Sequence, residues 1–190
     1  MDKIEDVTLA NMIARTTELS QFVRRTPTIK LASEKLKKSL SGAELFFKLE
    51  CMQHTGTFKA RGAISVALQI PNHKVGCGIT AASAGNHAIA ASWAAKQMNT
   101  NAKVVMASTA NPYRIELAKR YGGEGILKEP GKALFVEAER LVKEEDRTFI
   151  HPFEGINTTL GASGVGIELM DDIKDLDAVV VSVGGGGLMS

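Results

Sequence analysis

The sequence lacks any apolar run that approaches the length of a membrane-spanning helix. Residues 1–22 alternate charged and apolar side chains at helical spacing, and they lack the apolar stretch of a secretory signal peptide. This pattern predicts an N-terminal helix. We therefore expect a cytoplasmic protein whose mature chain begins near Met1.

Cysteine is scarce, and the net charge is small. Cys51 and Cys77 belong to no CxxC motif and to no Cys/His spacing typical of metal ligands. We expect two reduced, buried thiols, and no metal site is predicted. The 23 basic and 21 acidic residues are spread evenly, which argues against a nucleic-acid track or a membrane-surface patch. Small molecules are the expected partners.

What the sequence does contain is a regular alternation of apolar strands and amphipathic helices. Such alternation predicts an α/β fold with parallel strands and right-handed crossovers. After the N-terminal helix, strands are predicted at 43–50, 75–80, 102–108, 124–127, 147–152 and 178–183. Helices are predicted at 57–69, 86–98, 112–121, 134–142 and 164–173. Asn111 and Pro112 look like the cap and first residue of a helix that Gly122 ends.

The first candidate for chemistry is Lys59, in the stretch "HTGTFKARGA" at 54–63. It falls in the first turn of the predicted helix, where the helix dipole disfavours a cation. An unprotonated lysine amine can condense with a carbonyl group. Since most lysines are simply solvated, spacing alone leaves both interpretations open.

The second candidate is the turn in "TAASAGNHAIAASWAA" at 80–95, where a strand leads into a helix almost without charge. The free N–H groups at such a helix start favour an anion, for example a carboxylate. The alternative is an ordinary cap formed by the side chain of Ser83 or Asn86. His87 could equally be a core histidine with its hydrogen bonds satisfied.

The third candidate is "VVVSVGGGGL" at 179–188, where an apolar segment runs into four glycines. Consecutive glycines lose much conformational entropy on folding, but they let the backbone wrap closely around a phosphate. The stretch has neither a Walker lysine nor GxGxxG spacing, so a simple phosphate group fits better than ATP or a dinucleotide. An amine, a carboxylate site and a phosphate site together predict a pyridoxal-phosphate enzyme that acts on an amino acid.

The three motifs, in this order, closely resemble the fold type II pyridoxal-phosphate enzymes, in the threonine and serine dehydratase branch that includes serine racemase. The resemblance runs from Arg24 to Leu188. It implies a tryptophan synthase β-like fold with parallel sheets, helices on both faces and two subdomains, at 1–72 with 151–190 and at 73–150. It also implies a homo-oligomer, dimeric or tetrameric, that binds a hydroxy-amino acid but neither nucleic acid nor membrane. A place in amino-acid metabolism, including isoleucine biosynthesis, would follow.

The resemblance further implies roles for individual residues. Lys59 would form the Schiff base with pyridoxal 5'-phosphate, Phe58 would pack beside the cofactor ring, and Asn86 would bind its 3-hydroxyl group. The loop that binds the substrate carboxylate would comprise Ser83, Ala84, Gly85, Asn86 and His87. The remaining cofactor-binding residues, around the phosphate, would be Gly184, Gly185, Gly186, Gly187 and Leu188.

In the reaction that the resemblance implies, the substrate amine displaces Lys59, and the freed lysine takes the Cα proton. Loss of the β-hydroxyl then leads to a 2-oxo acid and ammonia. Racemisation needs a second proton donor, a serine hydroxyl in the racemase, where this chain has Ala84. Because a methyl group donates no proton, dehydration is favoured over racemisation.

Two departures from the family pattern bear on this interpretation. The stretch "LGASGVGIE" has Ala162 and Ser163 where the family usually has glutamine and glycine. Family members also continue well beyond the position of Ser190, into the residue that faces the pyridine nitrogen, so we expect a fragment of a longer polypeptide. A non-catalytic or regulatory relative therefore remains an alternative. A β-replacement enzyme of the cysteine-synthase type ranks lower, because its loop usually reads "TSGNTG".

Overall fold

The computed structural model describes residues 4–83 and 85–189, and within them it contains nine α-helices and six strands. The strands are β1 Thr28–Lys30, β2 Phe46–Lys48, β3 Ile79–Ala82, β4 Ala102–Ala107, β5 Gly123–Lys128 and β6 Thr148–Phe149. The helices are α1 Leu9–Leu19, α2 Glu34–Ser39, α3 Lys59–Ala67, α4 Asn72–Val75, α5 Asn86–Gln97, α6 Pro112–Arg120, α7 Lys132–Glu145, α8 Ile156–Ala162 and α9 Gly164–Asp172. None of these helices is long and apolar enough to cross a membrane.

The centre of the fold is a parallel sheet with strand order β5-β4-β3-β6. Strand β4 shows why helices cover both faces, since successive side chains of a strand point to opposite sides. Val104 and Met106 pack in one core cluster with residues of α5, whereas Val105 and Ala107 pack in the other with α7. The predicted α/β architecture is therefore confirmed.

Helix α5 lies between this sheet and α3, and its composition explains why it can. A helix that is apolar on every side is stable only when it is buried on every side. In α5 the alanines at 90, 91 and 94 are completely buried. Their small side chains let α3 pack against it closely, and α5 therefore has a fixed position relative to both neighbours.

Local signals predicted several helix ends correctly. The Asn111 side chain accepts the N–H of Tyr113 at 2.9 Å, and Pro112 is the first residue of α6. Gly122 follows the end of α6 with φ +87°, a left-handed conformation that glycine adopts without strain.

Other predictions were wrong, mostly where pairing or exposure depends on distant residues. Strand β1 was not predicted, and it forms a separate antiparallel pair with β2. The strand predicted over 178–183 pairs with no other strand in the described part of the chain, and Val180 is 98% exposed. The strand predicted from Val75 begins only at Ile79, because Val75 ends α4. Cys51 is exposed and Cys77 half-buried, so neither thiol is fully buried as predicted.

A buried cluster of charges joins the N-terminal strands to α3 and α9. Arg61, which is 1% exposed, donates to both carboxylate oxygens of Glu50 at 2.8 and 2.9 Å. The same guanidinium donates to both oxygens of Glu168 at 2.7 and 2.9 Å. Lys48 Nζ lies 2.7 Å from Glu168. Burial opposes ionisation of Glu168, but the hydrogen bonds from Arg61 and Lys48 outweigh it and keep the pKa of that carboxyl below its usual value.

We expect Glu168→Gln to lower the free energy of unfolding by about 3–5 kcal/mol, because it leaves Arg61 and Lys48 buried with too little negative charge. Urea denaturation measures this change. The matched control is Asp171→Asn, since Asp171 is exposed and pairs with Arg25 at 3.4 Å. The control should cost less than about 1 kcal/mol. Equal losses in the two variants would contradict a central role for the buried cluster.

Candidate active site

Lys59 lies in the first turn of its helix, as predicted, although α3 begins at Lys59 itself and not at residue 57, and the lysine side chain lines an internal cavity. The turn before it needs left-handed backbone at Thr55, with φ +64°, and at Gly56, with φ +75°. The amine Nζ donates a hydrogen bond to the carbonyl of Pro152 and lies 4.8 Å from the centre of the Phe58 ring. Burial lowers the pKa of Lys59, because it disfavours the charged form of the amine.

Among the described residues, no side chain caps the start of α5. The N-cap residue is Gly85, which has no side chain that could cap the helix. Ser83 Oγ instead accepts the N–H of Gly85 at 3.1 Å, and Asn86 is exposed as the first helical residue. The alternative interpretation, an ordinary cap formed by Ser83 or Asn86, is therefore not observed. Ala84, and with it the argument against racemisation, lies outside the described residues.

His87 is 4% exposed, and its two ring nitrogens have different surroundings. Nε2 lies 2.8 Å from the carbonyl of Ile150, so it carries the proton. Nδ1 is buried and has no hydrogen-bond partner among the described residues. Burial lowers the pKa of His87 to about 4, so the ring is neutral at physiological pH. The alternative interpretation of His87 as a core histidine with both ring nitrogens hydrogen-bonded is therefore wrong, because only Nε2 has a partner among the described residues.

A cavity of about 10 Å³ brings parts of the three motifs together. Four predicted site residues line it, namely Phe58, Lys59, His87 and Gly187. Other lining residues come from α3, from α8 and from the segment between β6 and α8: Gly62, Ala63, Thr158, Ala162 and Pro152. Ser83, Gly85, Asn86, Gly184, Gly185, Gly186 and Leu188 are not part of its lining.

The glycine run forms bends and turns, with Gly186 at φ +89°. Its close neighbour is Phe153. A Cβ added at Gly185 would lie 2.4 Å from Phe153 Cδ1, and one at Gly187 would lie 2.9 Å from Phe153 Cβ. Larger residues at these positions therefore collide with Phe153, which explains the need for glycine in this structure. Phosphate binding by the glycine run stays a prediction.

The chemistry of these residues fits pyridoxal phosphate. An amine with a lowered pKa suits an aldehyde, and an uncapped helix start suits a carboxylate. At the cavity itself, the buried Nδ1 of His87 has no partner among the described residues. Polar atoms in this state are unusual in folded proteins and are readily satisfied by a polar ligand. A cavity of this size holds about one water molecule, so a cofactor that reaches Lys59 needs more space than the cavity provides.

Comparison with known proteins decides the family. A family model described as "Pyridoxal-phosphate dependent enzyme" matches residues 19–190. The chain belongs to this family. The family depends on pyridoxal phosphate, and the fold is that of its fold type II members.

Similar sequences of this family include dehydratases. The chain is 40% identical to phenylserine dehydratase of Ralstonia pickettii over 193 residues, which cover 100% of this chain and 58% of that protein. It is 39% identical to the L-threonine dehydratase catabolic TdcB of Staphylococcus aureus, over 97% of this chain and 53% of that protein. The chain thus spans about half the length of the curated relatives it matches.

Similar solved structures include a serine racemase and a threonine deaminase. The serine racemase from Dictyostelium discoideum matches with a TM-score of 0.86 and 29% identity, over 96% of this chain and 59% of that one. A threonine deaminase from T.th. matches with a TM-score of 0.81 and 34% identity, over 95% of this chain and 58% of that one.

Sequence reasoning missed the residues between β6 and α8 that face the amine. Pro152 accepts the Lys59 hydrogen bond, and Phe153 covers the glycine run. Neither residue carries a local signal, because the role of each depends on a contact with a segment far away in the sequence. Arg61 was also missed, although it lies only two positions after Lys59, because its partners Glu50 and Glu168 come from other elements.

We expect the Lys59 amine to lose its proton at lower pH than an ordinary lysine, because burial disfavours its charged form. Acylation of amines across a pH series, followed by peptide mass spectrometry, measures this. The modification of Lys59 relative to that of exposed Lys37 should rise as the pH falls from about 10 to about 8. The difference in reagent access between the two lysines multiplies the ratio by a constant, so it does not affect how the ratio changes with pH. A ratio that stays constant or falls would contradict the buried amine.

Proposed function

We propose that this protein is a pyridoxal-phosphate-dependent dehydratase that converts a β-hydroxy-amino acid into a 2-oxo acid and ammonia. The observation that carries the proposal is the half-buried amine of Lys59, whose pKa is lowered and which shares a cavity with His87 and Gly187. Membership of the family supplies the cofactor. The dehydratases among the similar sequences support this reaction over others of the family.

In this proposal Lys59 would hold the cofactor, and its amine would accept the Cα proton of the substrate. A lowered pKa favours both steps, since only the neutral amine can attack an aldehyde or accept a proton. The bound cofactor supplies an electron sink for the charge that develops at Cα. Phe58 lies against the amine and helps to exclude water from it.

The other proposed contacts hold the two anionic groups in place. The N–H groups at the start of α5, with Ser83, Gly85, Asn86 and His87, bind the substrate carboxylate. The His87 ring belongs to the same loop, but its free Nδ1 is an acceptor, so it would bind a hydrogen-bond donor of the ligand and not the carboxylate. The glycine run at 184–187 and Leu188 bind the phosphate through backbone N–H groups.

The proposed reaction removes one water molecule and then adds one back. The Cα proton would pass to Lys59, the β-hydroxyl would leave as water with that proton, and an enamine would remain. The enamine would become an imine by gaining a proton at Cβ and losing one from nitrogen, and water would then hydrolyse the imine to the 2-oxo acid and ammonia. Oxygen and hydrogen balance without an oxidant or a reductant.

L-Threonine and L-serine are the proposed substrates, and the Staphylococcus aureus relative named for threonine favours the first. Phenylserine is a second candidate, because the Ralstonia pickettii relative is named for it. The word "catabolic" in the name of the Staphylococcus relatives favours a degradative role over isoleucine biosynthesis. A cytoplasmic homo-oligomer, dimeric or tetrameric, is proposed with this function.

Release of a 2-oxo acid from L-threonine, L-serine and phenylserine, with pyridoxal 5'-phosphate added, tests the proposal. We expect Lys59→Ala to lower this rate by at least about 100-fold, because the base is lost. The control variant Lys37→Ala changes an exposed lysine of α2 and should retain the wild-type rate.

Other products separate the alternatives. Formation of D-serine without any 2-oxo acid would indicate a racemase. Reaction of O-acetylserine with sulfide would indicate a β-replacement enzyme. Cofactor absorbance without any turnover would indicate a non-catalytic or regulatory relative. Each of these three results would overturn the proposed dehydratase.

A further inference from the structure

His151 sits in the short segment between β6 and α8, and its ring organises the backbone that follows it. Nδ1 accepts the N–H of Glu154 at 2.9 Å and the N–H of Phe153 at 3.4 Å. An acceptor that binds N–H groups two and three positions later is the arrangement by which Asn and Asp side chains stabilise turns. Nδ1 must therefore be unprotonated, and the ring proton belongs to Nε2.

Aromatic contacts hold this ring in place. The ring of Phe153 meets it edge-on, with 4.7 Å between the ring centres, and the ring of Phe149 does so at 5.8 Å. Phe135 of α7 lies 6.3 Å away. Edge-to-face packing of this kind fixes ring orientation. Burial among these rings also lowers the pKa of His151, which keeps Nδ1 free to accept.

The turn at 151–154, which His151 organises, contacts both the Lys59 amine and the glycine run. Its second residue, Pro152, provides the carbonyl that accepts the hydrogen bond from Lys59. Its third residue, Phe153, is the side chain that packs against Gly185 and Gly187. The amine and the glycine run are far apart in sequence, and this turn contacts both of them.

We propose that His151 is a positioning residue, whose Nδ1 holds the turn at 151–154 and so sets the Lys59 amine relative to the glycine run. This role deepens the proposed function, on which its catalytic meaning rests. It assigns no chemical step to the imidazole itself. The competing explanation is that His151 merely fills space among three phenylalanines.

Two variants distinguish the role of Nδ1 as a hydrogen-bond acceptor from the role of the ring as a space-filling group. His151→Phe keeps an aromatic ring among Phe135, Phe149 and Phe153 but removes the acceptor. His151→Asn removes the ring but retains an oxygen that can accept from the N–H groups of Phe153 and Glu154. If His151 is a positioning residue, His151→Phe should loosen the turn at 151–154 and His151→Asn should preserve it. If His151 only fills space among the phenylalanines, His151→Phe should preserve the turn and His151→Asn should loosen it.

Amide hydrogen exchange of the chain without cofactor or substrate provides the readout. In His151→Phe we expect the N–H groups of Phe153 and Glu154 to exchange about 5- to 10-fold faster, and Lys59 to be acylated faster. In His151→Asn both rates should stay near the wild-type values. Exchange at Val104 and Val105 in β4 should not change in either variant, which verifies the fold.

Wild-type exchange in His151→Phe, or fast exchange in His151→Asn alone, overturns the proposal. If His151→Phe does not fold, the nitrogen chemical shifts of the wild-type imidazole decide. An unprotonated Nδ1 at neutral pH supports the proposal, and a protonated Nδ1 overturns it. None of these measurements uses turnover, so a failure of the proposed dehydratase activity would remain distinguishable from a failure of this inference.

Discussion

The buried guanidinium of Arg61 is the contact on which the arrangement of the site depends. It binds Glu50, just after β2, and Glu168 of α9, each through both carboxylate oxygens. A planar guanidinium with donors in fixed directions determines where both carboxylates lie, which a lysine cannot do. Because Arg61 and Lys59 share the first turns of α3, the cluster also fixes the rotation of the helix that carries the amine.

Small residues then bring the other helices close enough to make a site. A Cβ added at Gly161 of α8 would lie 2.6 Å from the Arg61 carbonyl, and one at Gly62 would lie 3.2 Å from Thr158. On its other side, α3 meets the alanine-rich α5. Such close packing leaves little freedom for the backbones around Lys59 and His87. The lowered pKa values of both side chains follow from this packing, since it keeps water away from them.

The sequence predicted those features that depend on local pattern or on motifs. The α/β alternation, the start of α6 at Pro112 and the position of Lys59 in a first helical turn were all predicted and confirmed. Features that depend on partners distant in sequence could not be predicted. Apolar composition indicated a strand at 178–183, but a strand also needs a neighbour with free backbone groups. For the same reason no pattern marked His151, whose role emerges only from the contacts of Pro152 and Phe153.

Burial of the Lys59 amine lowers its pKa, and the same close packing leaves little space beside the amine. Different elements of the fold produce these two effects. Lys59 and His87 stand on helices that are packed on several sides, so their positions are set before any ligand arrives, and burial lowers the pKa of both side chains. The parts that fill the space beside them, Phe153 and the glycine run, belong to turns with few backbone hydrogen bonds. Segments of this kind rearrange at lower cost than packed helices. The Lys59 amine is therefore placed from two sides, by the Arg61 cluster through α3 and by the Pro152 carbonyl of the turn at 151–154.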